Sequence, residues 1–211
     1  CKALMKNTSL EGLYLRGNGI GSDSVDQFTF FLIGSKSLTT LDLCNNSVGD
    51  DGMKVLCEAL MESTALTKLD MGWNGIGDGG AAALSDVLES EETVLSSISL
   101  YGNEIGEGGV RALCDALTTN TTLTVLDIGG NEIGDNGAKI VGEVLKGNTT
   151  LKALFVEDNE IGDDGAMALA QSLEHNTTLT ALYLDGNEIS DDGKRVLESK
   201  TNKDTLTVLS L

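Results

Sequence analysis

The chain has 211 residues, no proline and a net charge of −19, from 33 acidic and 14 basic residues. Phosphate backbones and anionic bilayers select basic surfaces, so this balance excludes nucleic acid and membrane as direct partners. It favours a protein partner of basic character, whose approach the field would speed, and it also keeps a long chain soluble. The four cysteines, Cys1, Cys44, Cys57 and Cys114, form no CxxC pair, which argues against zinc and against a disulfide framework and fits a reduced, cytoplasmic setting. No signal peptide or membrane span is expected, since no apolar run is long enough to span a membrane.

In chain order, Cys1-Lys2-Ala3-Leu4-Met5 aligns with Cys57-Glu58-Ala59-Leu60-Met61 and reads as the second half of a helix, so residues 1–9 are a partial repeat. From Leu10 onward one pattern, LxxLxLxxNxIG, recurs. Its copies begin at Leu10, Leu38, Leu66, Leu95, Leu123, Leu151 and Leu179, at spacings of 28, 28, 29, 28, 28 and 28 residues. A period in this range marks a solenoid whose units bury their apolar sides against one another. Within each copy the central residues alternate apolar and polar, as in Leu13-Tyr14-Leu15, which is the period of a strand. The strand is expected to be only three or four residues long, because a turn follows.

The asparagines at 18, 46, 74, 103, 131, 159 and 187 sit in that turn, where an amide can bond the backbone of its own turn and of its neighbour. The period then switches to that of a helix, as in Asp163-Asp164-Gly165-Ala166-Met167-Ala168-Leu169-Ala170-Gln171-Ser172-Leu173. Ser22, Asp50, Asp78, Glu107, Asp135, Asp163 and Asp191 open the helices and are expected to cap them. The glycines at 52, 80, 109, 137, 165 and 193 are expected to let each helix pack close to its strand. Cys57 and Cys114 share the helix position of Ala170 and read as small buried residues. The Asn-Thr-Thr sequons at Asn120, Asn148 and Asn176 belong to a recurring turn and read as fold residues and not sugar sites.

The first complete repeat departs most in its helix, with Phe28, Phe30, Phe31 and Ile33 where later repeats carry smaller residues. Either upstream sequence buries this helix, the favoured reading, or it exposes a convex apolar patch. The third repeat has one extra residue around Glu91-Glu92-Thr93-Val94, a loop the stack should tolerate. The seventh turns polar over Glu198–Asp204, as an end coil would, and Leu206–Leu211 form a final strand. The unbroken period over 10–205 indicates one domain across 1–211, read as part of a longer protein.

The fullest copy, Leu151 to Leu179, reads LxxLxLxxNxIGDxGAxxLAxxLxxNTTL, with Val156 in place of the third leucine. This string closely resembles leucine-rich repeats of the ribonuclease-inhibitor type. The resemblance covers nearly the whole chain. It implies an α/β horseshoe solenoid of about seven 28-residue repeats, with parallel strands on the concave face and helices on the convex face. The same repeats serve ribonuclease inhibition, Ran GTPase activation, NOD-like immune sensing and actin regulation, so they specify fold far better than function. The implied reading is the recognition region of a larger intracellular protein, as in NOD-like receptors. The alternative is a GTPase-activating protein resembling that for Ran; no acidic tail is seen here, and that family's catalytic residues cannot be placed on this sequence.

Binding is expected to use the outward positions that the fold leaves free. The residue between the central apolar pair is Tyr14, Asp42, Asp70, Ser99, Asp127, Phe155 and Tyr183. Two residues on stand Arg16, Cys44, Gly72, Tyr101, Gly129, Glu157 and Asp185, and the next position adds Trp73 and Asp158. Neighbouring strands about 4.8 Å apart would set Asp42 beside Asp70 and Glu157 beside Asp185, a repulsion a fold does not need. Exposed aromatics beside acids suit a basic partner through stacking, cation–π contact and ion pairing. Two foci are expected, Asp42/Asp70/Trp73/Tyr101/Asp127 and Phe155/Glu157/Tyr183/Asp185, with Tyr14 and Arg16 at the margin.

Catalysis has little support. The single histidine, His175, stands at a helix end, no P-loop or GxSxG is present, and carboxylates on an open face are not expected to have tuned pKa values. The acid-rich turns lack the twelve-residue calcium spacing, so neither a metal nor another cofactor is implied.

Overall fold

In the computed structural model, residues 7–201 and 204–211 are described, with the side chain of Phe28 left aside. The partial helix expected over residues 1–5, Cys1, Asn202 and Lys203 lie outside that description.

The period produces what it should. Eight three-residue strands, β1 (Gly12–Tyr14), β2 (Thr40–Asp42), β3 (Lys68–Asp70), β4 (Ser97–Ser99), β5 (Val125–Asp127), β6 (Ala153–Phe155), β7 (Ala181–Tyr183) and β8 (Val208–Ser210), form one parallel sheet in sequence order. Seven helices alternate with them: α1 (Ser22–Gly34), α2 (Gly49–Glu62), α3 (Asp78–Glu89), α4 (Glu107–Leu117), α5 (Gly134–Leu145), α6 (Asp163–Leu173) and α7 (Asp191–Lys200). The extra residue after α3 is absorbed in the loop, and β4 still pairs Ser99 with Asp70 and Asp127. The result is a leucine-rich-repeat solenoid with the sheet on the concave side and the helices on the convex side.

Its core is a set of columns. Leu41, Leu69, Ile98, Leu126, Leu154 and Leu182 follow one another in strand register and are buried. Leu43, Met71, Leu100, Ile128, Val156 and Leu184 form a second buried column. At the two ends, Leu13, Leu15, Leu209 and Leu211 are only partly buried, because each lacks one neighbouring coil among the described residues. Burial between coils is therefore what makes one unit stable, as the quasi-one-dimensional picture requires.

The asparagine column does what its spacing implies. Asn74 donates from Nδ2 to the carbonyls of Met71 and Gly72 in its own turn and of Leu43 one coil earlier, while its Oδ1 accepts from the Val48 N–H. A second amide column, Asn120, Asn148 and Asn176, is buried at the other end of the helices, which accounts for those sequons. Cys57 and Cys114 are buried, and burial pushes both thiols up to about 12, so they are unreactive packing groups.

Two expectations about helix starts are corrected. The opening acids do not cap their own helices; they cap the next one. Asp78 Oδ1 accepts from the backbone N–H groups of Gly106 and Gly109, both at 2.8 Å, at the start of α4. Asp135 does the same for Gly162 and Gly165 of α6, Asp50 accepts from Gly77, and Asp163 accepts from the Ser190 N–H and hydroxyl. Among the opening residues only aspartates make this bond. Ser22 and Glu107 make no such bond; Glu107 turns instead to Arg111 and Asn136. The helices that follow them, α2 and α5, begin at Gly49 and Gly134, both with positive φ, and have no side-chain cap.

The helix glycines likewise serve the neighbouring coil and not the strand. A Cβ on Gly165 would lie 2.7 Å from Asp135 Oδ1 and Ile161 Cγ2 and 2.9 Å from Ala138 Cβ. Replacing Asp135 by alanine should therefore orphan two N–H groups across a coil boundary. We expect a loss of about 1–2 kcal/mol in urea unfolding, with glutamate no better than alanine, as Glu107 illustrates.

Candidate functional site

The concave face carries two outward rows per strand. One was expected from the sequence. The other, Gly12, Thr40, Lys68, Ser97, Val125, Ala153 and Ala181, follows from the same alternation but lies before the central apolar pair, outside the positions expected from the sequence. This row makes the floor polar under β2–β4 and apolar under β5–β7.

Register places Asp42 directly opposite Asp70, and Ser99 opposite both Asp70 and Asp127. The repulsion has a structural counterpart that the sequence did not reveal. Asp42, Asp70 and Asp127 each accept from the backbone N–H two residues on, at Cys44, Gly72 and Gly129, and so help turn the chain at the strand end. Ser99 plays that part weakly and donates its hydroxyl to Asp127 Oδ2 at 2.7 Å. Tyr14, Phe155 and Tyr183 occupy the same column, so the acid is useful to the turn and not obligatory.

The aromatics also depart from expectation. Tyr14 and Trp73 are exposed, at 70% and 54%, but Tyr101, Phe155 and Tyr183 are half-buried. Phe155 and Tyr183 stack face to face at 4.3 Å. Tyr101 lies over Gly129, meets the edge of Trp73 at 5.8 Å, and reaches two coils along to donate its hydroxyl to Asp158 at 3.2 Å. Glu157 comes over Gly129 from the other side, which leaves its Oε2 buried without a hydrogen-bond partner. The two expected foci are thus one continuous band, joined by Tyr101, Asp158 and Glu157. Arg16 and Asp185 are exposed at its margins.

Tuned pKa values, not expected on an open face, are present. Burial holds Asp70 above the usual carboxylate range, with the Asp42 charge adding to it and the Gly72 N–H and Arg16 offsetting it. Burial raises Asp127 against the Ser99 hydroxyl and the Gly129 N–H, and the Asp70 charge adds to the rise. Burial raises Glu157 against a hydrogen bond from its own backbone N–H, and the Asp127, Asp185 and Asp158 charges add to the rise. The Tyr101 hydroxyl is also pushed up, by burial and by its bond to Asp158.

For these three carboxyls the folded chain binds protons more tightly than the unfolded one. Their contribution is complete below the unfolded carboxylate pKa values and is lost as pH rises through the raised folded ones. Melting temperature should therefore rise as pH is lowered from neutrality toward the ordinary carboxylate range, about 4. It should fall again at lower pH, where Asp163 and Glu174, held low by Ser190 and Lys200, take up protons. Asp70→Asn, Asp127→Asn and Glu157→Gln together should flatten the upper part of that curve in a thermal scan, which separates this effect from general relief of charge repulsion.

The six ion pairs of the described residues all join helix residues or helix caps, such as Arg111–Glu107, Lys146–Glu143 and Lys200–Glu174. None reaches Asp42, Asp70, Asp127, Glu157, Asp158 or Asp185. His175 is exposed, with Nδ1 at 3.3 Å from the Gln171 carbonyl, as a surface residue would be. A cleft of about 640 Å³, lined by Glu89, Glu91, Asp115 and Thr118 among others, opens beside the extra residue, away from this band. No helix among the described residues is long and apolar enough to cross a membrane.

The fold has known counterparts. The profile of the family described as "Leucine Rich repeat" matches residues 6–26, 34–57, 62–85, 119–139, 147–170 and 175–195. The repeat at Leu95 falls between matched segments, yet its strand pairs in register. No curated protein matches the chain. Among solved structures, the tropomodulin C-terminal domain of Caenorhabditis elegans is similar at a TM-score of 0.55 and 13% identity, covering 74% of this chain and 92% of that one. Actin-binding site 2 of leiomodin-1 aligns at a TM-score of 0.39 and 16% identity, over 94% of this chain and 86% of that one. At 13% identity the likeness to the tropomodulin domain is one of fold alone. With the repeat profile matched along well over half its length, on a sheet that keeps one register from β1 to β8, the chain belongs to the leucine-rich repeat family.

Proposed function

We propose that the concave face is a docking surface for a basic protein, and that the chain is a single recognition domain of a larger intracellular, cytoplasmic protein of the NOD-like-receptor or a related regulatory type. The observation that carries this reading is the distribution of ion pairs. The helices pair their charges among themselves, whereas among the described residues the concave acids, from Asp42 to Asp185, form no ion pair, with Arg16 acting on Asp70 only at longer range, beside exposed Trp73 and Tyr14. A surface of unpaired acids and aromatics suits a partner that supplies the missing cations. The proposed contact residues are Tyr14, Arg16, Asp42, Asp70, Trp73, Tyr101, Asp127, Phe155, Glu157, Tyr183 and Asp185.

The test is capture of partners from a lysate of the source organism by the wild-type chain, by Trp73→Ala/Tyr183→Ala, and by a helix-side control, Phe30→Ser. Loss in the concave variant with retention in the control supports the reading. An unchanged set of partners in the concave variant removes it. The GTPase-activating alternative instead requires accelerated GTP hydrolysis by Ran on addition of the chain.

A further inference from the structure

Within the concave band, most acids have work in the fold. Asp42, Asp70 and Asp127 turn the chain, and Asp158 receives the Tyr101 hydroxyl. Glu157 is different. It lies against Gly129 opposite the Tyr101 ring, with Oε2 shut away from solvent and bonded to nothing. Carboxylates surround it: Asp127 on the neighbouring strand, Asp158 next in sequence, and Asp185 at the same place one coil on. No described cation forms an ion pair with it. Beside it stands an aromatic wall, Tyr101 meeting Trp73 edge to face, with the Trp73 indole over Gly102 and more than half exposed.

We propose that Glu157 and this wall form the subsite for one arginine side chain of the docked partner. The inference rests on the docking reading above and names the chemistry at its centre. An unpaired carboxylate under a shared negative field gains most from a cation. Arginine fits better than lysine because its planar guanidinium can donate to Glu157 and to Asp127 or Asp185 at once while its face rests on an aromatic ring. On binding, the Glu157 carboxylate, which otherwise has only its own backbone N–H as a partner, gains a charge-assisted hydrogen bond.

The chain has a single tryptophan, Trp73, so its fluorescence reports this subsite alone. Acetyl-Gly-Arg-Gly-amide titrated at about 150 mM salt, where long-range fields are screened, should give a saturable change. The matching lysine tripeptide should bind at least about fivefold more weakly. Glu157→Gln should weaken arginine binding about tenfold or more, while Glu62→Gln on α2 leaves it unchanged. An equal response to the lysine tripeptide or to calcium chloride, no response to arginine, or wild-type binding by Glu157→Gln would each overturn the subsite. Failure here with partner capture still sensitive to Trp73→Ala/Tyr183→Ala removes the subsite and keeps the docking face. Intact arginine binding with capture indifferent to those substitutions does the reverse.

Discussion

Replacing Asn159 by alanine is expected to destabilise the chain by about 2–4 kcal/mol, more than the typical point mutation. The side chain is completely buried. Its Oδ1 accepts from the Asn131 N–H at 3.1 Å, and its Nδ2 donates to the carbonyls of Ile128 and Glu157 at 2.9 and 2.8 Å. Alanine orphans the Asn131 N–H and takes one of two bonds from each carbonyl, since Ile128 still accepts from Asn131 Nδ2 and Glu157 from the Gly130 N–H. The orphaned donor costs on the order of 1–3 kcal/mol, and the two lost second bonds and the space left by the amide add to it. Asn18 offers the internal comparison. It stands at the exposed end of the same column, and Asn18→Ala should cost under about 1 kcal/mol, because solvent can serve the freed groups. Urea unfolding of the two variants measures the difference. Near-equal losses would mean that the column does not couple neighbouring coils.

Trp73→Gly is expected to separate stability from recognition. Trp73 occupies a column whose members, Gly17, Asn45, Trp73, Gly102, Gly130, Asp158 and Gly186, all have positive φ. Four are glycine, and asparagine and aspartate tolerate the conformation. A tryptophan there, at φ 56°, carries strain of about 1–2 kcal/mol. Glycine removes that strain but forfeits the indole contacts over Gly102 and adds freedom to the unfolded chain. These effects nearly cancel, so stability should change by less than about 1 kcal/mol in either direction. Partner binding should fall by about 2–4 kcal/mol, roughly 30- to 1,000-fold in Kd, if Trp73 is the anchor its exposure indicates. Calorimetry on the captured partner and a thermal scan of the free chain give the two numbers. A large stability loss with unchanged Kd would make Trp73 a fold residue.

The fold was legible because a 28-residue period repeats the same physical problem seven times, and each copy answers it with the same residue types. Strand alternation, the asparagine column, the buried Cys57 and Cys114 and the harmless extra residue after α3 all follow from local pattern. What escaped lies between coils. Asp135 capping Gly165 is a contact 30 residues long, and Tyr101 reaching Asp158 spans 57. Neither is visible in a single repeat. The same cause hid the half-buried state of Tyr101, which follows from the bare Gly129 and Gly130 beside it. It also hid the turn-forming duty of Asp42, Asp70 and Asp127 and the raised pKa values that packing confers. The concave row was found, but which of its members are unemployed by the fold required the coils to be set side by side.

In the docking proposal, recognition belongs to the inner wall and none of it to the helix side. Hydroxyl-radical footprinting of the chain with and without its captured partner addresses that claim directly, because radicals mark aromatic and methionine side chains and the two faces carry different ones. Protection is expected at Tyr14, Trp73 and Tyr183 on the inner wall, with Phe30, Met61 and Met167 on the helices marked as strongly as before. Protection of Phe30, Met61 and Met167 with the inner wall still open to radicals would contradict the account.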